Sequence, residues 1–352
     1  MLELAKALLG RGHRTWVCCR PDNLLREKCE QAGVATLPLD FPPNGRLVNY
    51  IRELKRIILE NGITIVHTNG NYDRTAGAFA AWRAGVPHVT NVHSLQSIQH
   101  NLTHWVRNRM LTDRFLADGV QVKDLLIHHD HIPPSDVVVF YHGVNPERMR
   151  RDERLRRSMR AEFGMTDDTV LIGNVSRFVL MKGHSYLLHA FAEVAGEFSD
   201  ARLVLVGDGE LWEELKALSC SLGIEQKVIF TGFREDLQAL YSSFDIYAHS
   251  SIEGGGETIS FAVQQALAQE LPVVVTRVGD VAENVREGIN GFVVSDRDPK
   301  ALAAQLRILV RDRSLRRNMG TEGLKYLLER FTTERMVSAV ESVYRNVLET
   351  RT

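Results

Sequence analysis

HSSIEGGGETISFAVQQALA, residues His249 to Ala268, joins the end of a β-prone run to a glycine-dense loop and then to an apolar segment. Before it, Phe244, Ile246 and Tyr247 form a short strand pattern. After it, Ile259, Ala262, Val263, Ala266 and Leu267 recur at helical spacing. That spacing predicts a helix beginning near Thr258 or Ile259, with Thr258 or Glu257 as its cap. A helix start presents unpaired N–H groups and partial positive charge, and Gly254, Gly255 and Gly256 let the backbone lie close to a bulky ligand. The corner reads as an anion site, against the plainer alternative of a mobile surface loop ahead of a packed helix.

Outward from this corner, short apolar runs alternate with amphipathic segments along the whole chain. Val170 to Val175, Ala201 to Val206, Val228 to Phe230 and Leu271 to Val275 read as buried strands separated by helices, and Asp298-Pro299 reads as a helix cap followed by proline in the first turn. The earlier part repeats the theme with strand patterns at Thr15 to Cys19, Val34 to Leu37, Ile63 to His67 and His88 to His93. Such alternation implies an α/β protein of parallel sheets with helices on both faces. Residues Pro146 to Phe163 differ in texture. Their arginines, interspersed with Glu147, Asp152, Glu153 and Glu162, read as a solvated linker and helix at an interdomain crossing, with an anionic-lipid patch as the lesser alternative.

Composition excludes several classes. A chain of 352 residues fits two domains of ordinary size, and 25% charged with 44% hydrophobic residues is a globular balance. A formal net charge of −1 gives no case for nucleic-acid binding. The four cysteines, Cys18, Cys19, Cys29 and Cys220, lack metal-ligand spacing and suit a reduced, cytosolic chain. No apolar run approaches the roughly 18 to 20 residues of a membrane span, and no signal peptide is visible.

Two further stretches carry chemistry. In Asn174 to Gly183, NVSRFVLMKG, a strand gives way to a loop with Arg177 and Lys182, and Gly183 permits close backbone approach as the next helix starts. A planar guanidinium fork beside a point charge suits a diphosphate. Gly207-Asp208-Gly209-Glu210 resembles part of a dinucleotide fingerprint, but Trp212 occupies the third glycine position, so the stretch reads as a tight turn lining the cleft. His128, His129 and His131 around Asp130 converge poorly for a metal, and Asp296 with Asp298 reads as turn and cap. No metal site is expected.

In their order and spacing these segments resemble the retaining, nucleotide-sugar-dependent glycosyltransferases of family four. The matching pieces are RGH at Arg11 to His13, IVHTN at Ile65 to Asn69, NVHS at Asn91 to Ser94, HGVN at His142 to Asn145 and SRFVLMKG. LVLVGDGE, VIFTGF at Val228 to Phe233, LPVVVTRVGDVAE at Leu271 to Glu283 and ERF at Glu329 to Phe331 complete the series. The resemblance implies the GT-B fold, two Rossmann-like domains facing a cleft. Residues 1–147 would form an acceptor-side domain, 148–332 the donor domain, and 333–352 a helix returning to the first. Family members usually begin with a central strand and a glycine-rich loop, and neither precedes Leu2, so an interrupted first sheet is expected.

The resemblance also implies roles. Arg177 and Lys182 would hold the donor diphosphate, Glu257 the sugar hydroxyls, and His93 would lie near the sugar and phosphate. Gly209, Gly255, Gly256, Thr258 and Ile259 would complete the donor loop, and Glu283 matches a family glutamate. Where the family has a second glutamate for the ribose, this chain has Gln265, which retains one acceptor at a loss of about 1 kcal/mol. The implied donor is a nucleoside-diphosphate sugar serving as substrate, with no cofactor. The implied acceptor is a glycan or lipid-linked hydroxyl, in bacterial surface polysaccharide or lipid-linked glycan assembly, with peripheral contact at the inner membrane face. A nucleotide-sugar epimerase and a non-catalytic, transferase-like binding subunit are the alternatives.

Overall fold

The computed structural model describes residues 1–39, 47–254 and 256–351. The candidate Gly255 lies outside the described residues. The chain forms two compact units, one of residues 1–142 with 333–352 and the other of residues 143–332.

In the first unit, β1 (Trp16–Cys19) pairs with β2 (Ala35–Pro38), while β3 (Val66–Thr68), β4 (His88–Val92), β5 (Arg114–Ala117) and β6 (Val137–Val139) form a second sheet in that order. Every pairing is parallel. Among the described residues no strand pairing joins the two sheets. A cavity of about 1010 Å³ lies there, bounded by Val17 and Cys18 on one side and Val66 and His67 on the other. Alternation on β1 buries Cys19 and leaves Cys18 half-buried, as neighbouring strand residues must face opposite ways. The first helix, Leu2–Gly10, and the last, Thr333–Arg351, pack Leu4, Leu8, Val337, Val340 and Val347 against Val89 and Leu116 of the larger sheet. Arg11 pairs with Glu334 and Glu341, and His13 Nε2 lies 2.8 Å from Glu341, so two side chains of the RGH stretch anchor the final helix.

The second unit contains β7 (Val170–Val175), β8 (Ala201–Val206), β9 (Val228–Phe230), β10 (Ile246–His249), β11 (Val273–Thr276) and β12 (Gly291–Val294). These form one parallel sheet in the order β12-β11-β10-β7-β8-β9. The near-continuous apolar runs of β7, β8 and β11 follow from burial on both faces, where Ile172, Leu203, Leu205, Leu187, Phe191, Leu302 and Leu306 meet helices. Strand order reverses direction between β7 and β10. The carboxyl ends of those two strands mark the switch point of the sheet, the usual ligand position in open α/β sheets.

Local expectations fare unevenly. Asp298 accepts from Ala301 N at 2.9 Å and starts the helix Pro299–Arg311, as its pairing with proline implies. The helix after the glycine loop, by contrast, spans Phe261–Ala268 and is capped by Ser260, which accepts from Val263 N at 3.4 Å. Glu257, Thr258 and Ile259 are thus loop residues and not the cap or first turn, because the serine hydroxyl claims the helix start.

The arginine-rich segment also differs from its reading as solvated. Helix Glu153–Glu162 turns Arg156 and Arg160 inward, where they lie 2.6 and 3.1 Å from the two carboxylate oxygens of Asp245. Arg156 also donates to the Ser242, Ser243 and Phe244 carbonyls, and Arg160 to those of Ser243, Thr166 and Thr169. The guanidinium groups, with five donors each, satisfy carbonyls that the strand entry leaves exposed.

Candidate functional site

The loops leaving β7 and β10 are stitched together in the second unit. Ser250 Oγ donates to Lys182 O at 2.9 Å, and Ile252 N donates to Met181 O at 2.9 Å. Between them, Gly183 adopts φ +61°, and a Cβ there would lie 2.0 Å from Ser250 O. Only glycine supports both the left-handed conformation and this contact.

That stitching brings Lys182 to Glu257. Their Nζ and Oε2 are 2.6 Å apart, with side chains 20% and 14% exposed. Ser251 Oγ donates to the same carboxylate at 3.4 Å, and His249 Nε2 stands 3.6 Å from its other oxygen. Burial pushes the Glu257 pKa up, but His249 and Lys182 outweigh it and hold the value at about 2. The carboxylate is thus an ionised acceptor at neutral pH. Behind it, His184 donates through Nε2 to Ser176 Oγ at 2.9 Å, whose proton goes to Asn174 Oδ1 at 2.8 Å. Burial first, then Lys182 and His249, lower the His184 pKa to about 3 and keep the ring neutral.

Arg177 is exposed on the same loop and makes no ion pair with a described residue. Its neighbour Phe178 is fixed by Asp208 O, which accepts from Phe178 N at 2.9 Å, and by stacking on Trp212 at 5.5 Å. Gly209 approaches this backbone so closely that a Cβ would fall 2.5 Å from Phe178 O. Its visible work is to seat the Arg177 loop on the β8 loop. Thr258 and Ile259 are buried beyond Glu257, and Gln265 is buried on the following helix. Glu283 lies in a short 3-10 turn, 3.7 Å from Arg330.

His93 belongs to the other unit. It follows β4, and its Nε2 lies 3.1 Å from Asn69 Oδ1. Its ring stacks on His142 with centroids 5.1 Å apart, and Asp118 lies beside both. The structure therefore groups Lys182 with Glu257, and adds His249 and Ser251, which the sequence pattern did not single out. His249 ends β10 immediately before the loop, and that position was its signal. Asp118 holds the equivalent place after β5.

Comparison with known proteins agrees with this architecture. Residues 156–326 match the model of glycosyl transferases group 1, and residues 1–148 match that of glycosyltransferase family 4. The N-acetyl-alpha-D-glucosaminyl L-malate synthase of Bacillus anthracis is 29% identical over 223 residues, 62% of this chain and 56% of that protein. The chain spans a little over half the length of the curated relatives it matches first. A glycosyltransferase structure from Rickettsia africae superposes with a TM-score of 0.91 at 20% identity, covering 99% of this chain and 93% of that one. Anabaena HepE in complex with UDP-glucose gives 0.85 at 21% identity, covering 98% and 94%. With both halves matched in order and the GT-B fold shared, the chain belongs to the group 1 glycosyltransferases.

Proposed function

We propose that the chain transfers a sugar from a nucleoside-diphosphate sugar to an acceptor hydroxyl with retention of anomeric configuration. The observation that carries this reading is the Lys182–Glu257 pair at the switch point of the sheet, with the uncommitted Arg177 fork on the Lys182 loop. The departing diphosphate gathers negative charge as an oxocarbenium-like sugar forms, and the two cations on this loop stabilise that charge. A diphosphate arriving at Lys182 competes with Glu257 for the ammonium. The carboxylate, still held by Ser251, is then turned to accept from sugar hydroxyls. Gln265 supplies one acceptor to the ribose, and for His93, a residue of the first unit, a role toward the donor sugar is what the family resemblance implies. That HepE was obtained with UDP-glucose supports a nucleotide sugar as donor.

The setting we assign, by family analogy, is cytoplasmic assembly of surface polysaccharide or lipid-linked glycan at the inner membrane face. Among the described residues no helix is long and apolar enough to cross a membrane. Gln265 in place of a second glutamate specifically favours one rival, a subunit that binds a partner and catalyses nothing.

Thermal unfolding with UDP, GDP, ADP and their sugar conjugates tests the reading. One nucleotide at about 100 times its dissociation constant should stabilise the second unit by roughly 2.7 kcal/mol, and Lys182→Ala should abolish the shift. No shift with any nucleotide would sink the transferase reading and leave the binding subunit. Consumption of the sugar nucleotide by isomerisation alone, with no acceptor, would point to an epimerase.

A further inference from the structure

Four adjacent parallel strands of the first unit each deliver a polar side chain to one sheet edge. Asn69 follows β3, His93 follows β4, Asp118 follows β5, and His142 comes three residues after β6. His93 Nδ1 and His142 Nε2 are 3.3 Å apart, and Asp118 Oδ2 lies 3.5 Å from the first and 3.6 Å from the second. Nitrogen and oxygen ligands about 2.0 to 2.1 Å from a tetrahedral ion are separated by about 3.3 to 3.4 Å, because a tetrahedron's edge is about 1.6 times its centre-to-corner distance. The three atoms already stand near that spacing, around a point each could reach.

Hydrogen bonding sets the His93 tautomer to match. Asn91 Nδ2 donates to Asn69 Oδ1 at 2.7 Å, which identifies that atom as the carboxamide oxygen. That orientation goes with a proton on His67 Nε2, which then donates to Asn91 Oδ1 at 2.9 Å. In this network His93 Nε2, 3.1 Å from the Asn69 oxygen, carries the proton. The neutral ring then turns a lone pair on Nδ1 toward Asp118 and His142. A histidine held through its far nitrogen by an oxygen acceptor is the usual support of a metal ligand. The carboxylate side chain is 5% exposed and the rings are 28% and 31% exposed, so the group is anchored on one side and open on the other.

We propose that His93, Asp118 and His142 form a binding site for a divalent transition-metal ion of the zinc class, with a fourth position open to an outside oxygen. Two imidazoles and one carboxylate select such an ion over magnesium or calcium, which take oxygen ligands. Among the described residues this is the cluster whose ligand atoms converge in this way. His129, 66% exposed and paired with neighbouring Asp130, belongs to a different surface group.

Cobalt(II) titration of the chelator-treated full chain, followed in the visible region, tests the site. We expect one equivalent to give the intense bands of four-coordinate cobalt, and zinc to bleach them. Asp118→Asn and His142→Asn should each weaken cobalt binding at least about tenfold, and Asn69→Ala, acting through His93, should weaken it by a similar order. His129→Asn should leave it unchanged. Absence of the bands in the parent chain, or cobalt affinity equal to the parent's in both ligand variants, would overturn the proposal. Each variant is first checked for an unchanged melting profile, and two ligand substitutions on different elements guard against one that fails to fold. The site shares His93 with the donor reading, but the two are tested by separate readouts. A chain that binds cobalt without any nucleotide shift keeps the metal site and loses the transferase assignment, whereas a chain that shifts with nucleotide and gives no cobalt bands keeps the transferase assignment and loses the metal site.

Discussion

Glu257 is the residue on which the proposed donor site turns. Its pKa is about 2, below the ordinary 4.5, so its stabilising contribution is complete above about pH 4.5 and is lost as pH falls toward 2. Much of that shift belongs to neighbours that themselves respond, so the contribution is at most on the order of 3 kcal/mol. Glu257→Gln should therefore flatten the acid limb of the second unit's melting curve between about pH 4.5 and 3. An acid limb identical to the parent's would show that the ion pair adds nothing. The same variant should lose affinity for the sugar conjugate relative to the bare nucleotide, which isothermal titration of both ligands would register. Lys182 and Glu257 were legible in sequence through their motifs. Ser251 was not, and His249 was marked only by its place at the end of the strand; each matters only once the loop folds back on that strand end.

At the scale of elements, the site depends on how two loops and one helix are fastened. Gly183→Ala forces a Cβ against Ser250 O and a left-handed backbone on an alanine, so the β7 and β10 loops must part. We expect a loss of about 2 kcal/mol or more and failure of the nucleotide shift, with melting of the first unit unmoved. A nucleotide shift equal to the parent's would show that the loops need not be stitched. The helix Glu153–Glu162 makes a second case. Asp245→Asn would leave Arg156 and Arg160 without their counter-charge in a buried place, at a cost of about 3 to 5 kcal/mol. Denaturant unfolding would detect this as an earlier transition of the second unit, and a stability within about 0.5 kcal/mol of the parent's would contradict it. Those arginines looked solvated in sequence because acidic residues intersperse them. Their partner lies 89 and 85 residues away, a distance no local pattern reveals.

Across the whole molecule, each unit holds a neutral histidine well below its ordinary pKa of 6.5. Burial takes His67 to about 4 and His184 to about 3. Unfolding frees both to bind protons, so the stability tied to each is complete above about pH 6.5 and declines as pH falls toward their folded values. Melting at about pH 7 and about pH 5.5 should show both units weakening before the carboxylates titrate. His184→Gln, which keeps an N–H for Ser176, should remove part of that fall from the second unit only. Equal pH dependence in parent and variant would refute the assignment.

Local sequence settles the class of fold and the order of its elements. Buried strands such as VLIGNV and ARLVLV and the capped helix at Asp298 announce themselves by composition and period. Arg177, Lys182 and Glu257 were legible for a related reason, since a loop between strand and helix concentrates its chemistry within a few residues. Only tertiary packing could settle where the helix after the glycine loop begins, because Ser260 competes successfully with Thr258 for the cap. The inward turn of Arg156 and Arg160 likewise depends on a strand entry far along the chain. Asn69, His93, Asp118 and His142 reach one edge for the same kind of reason, since these side chains are separated along the chain by whole helices and meet only through parallel strand pairing.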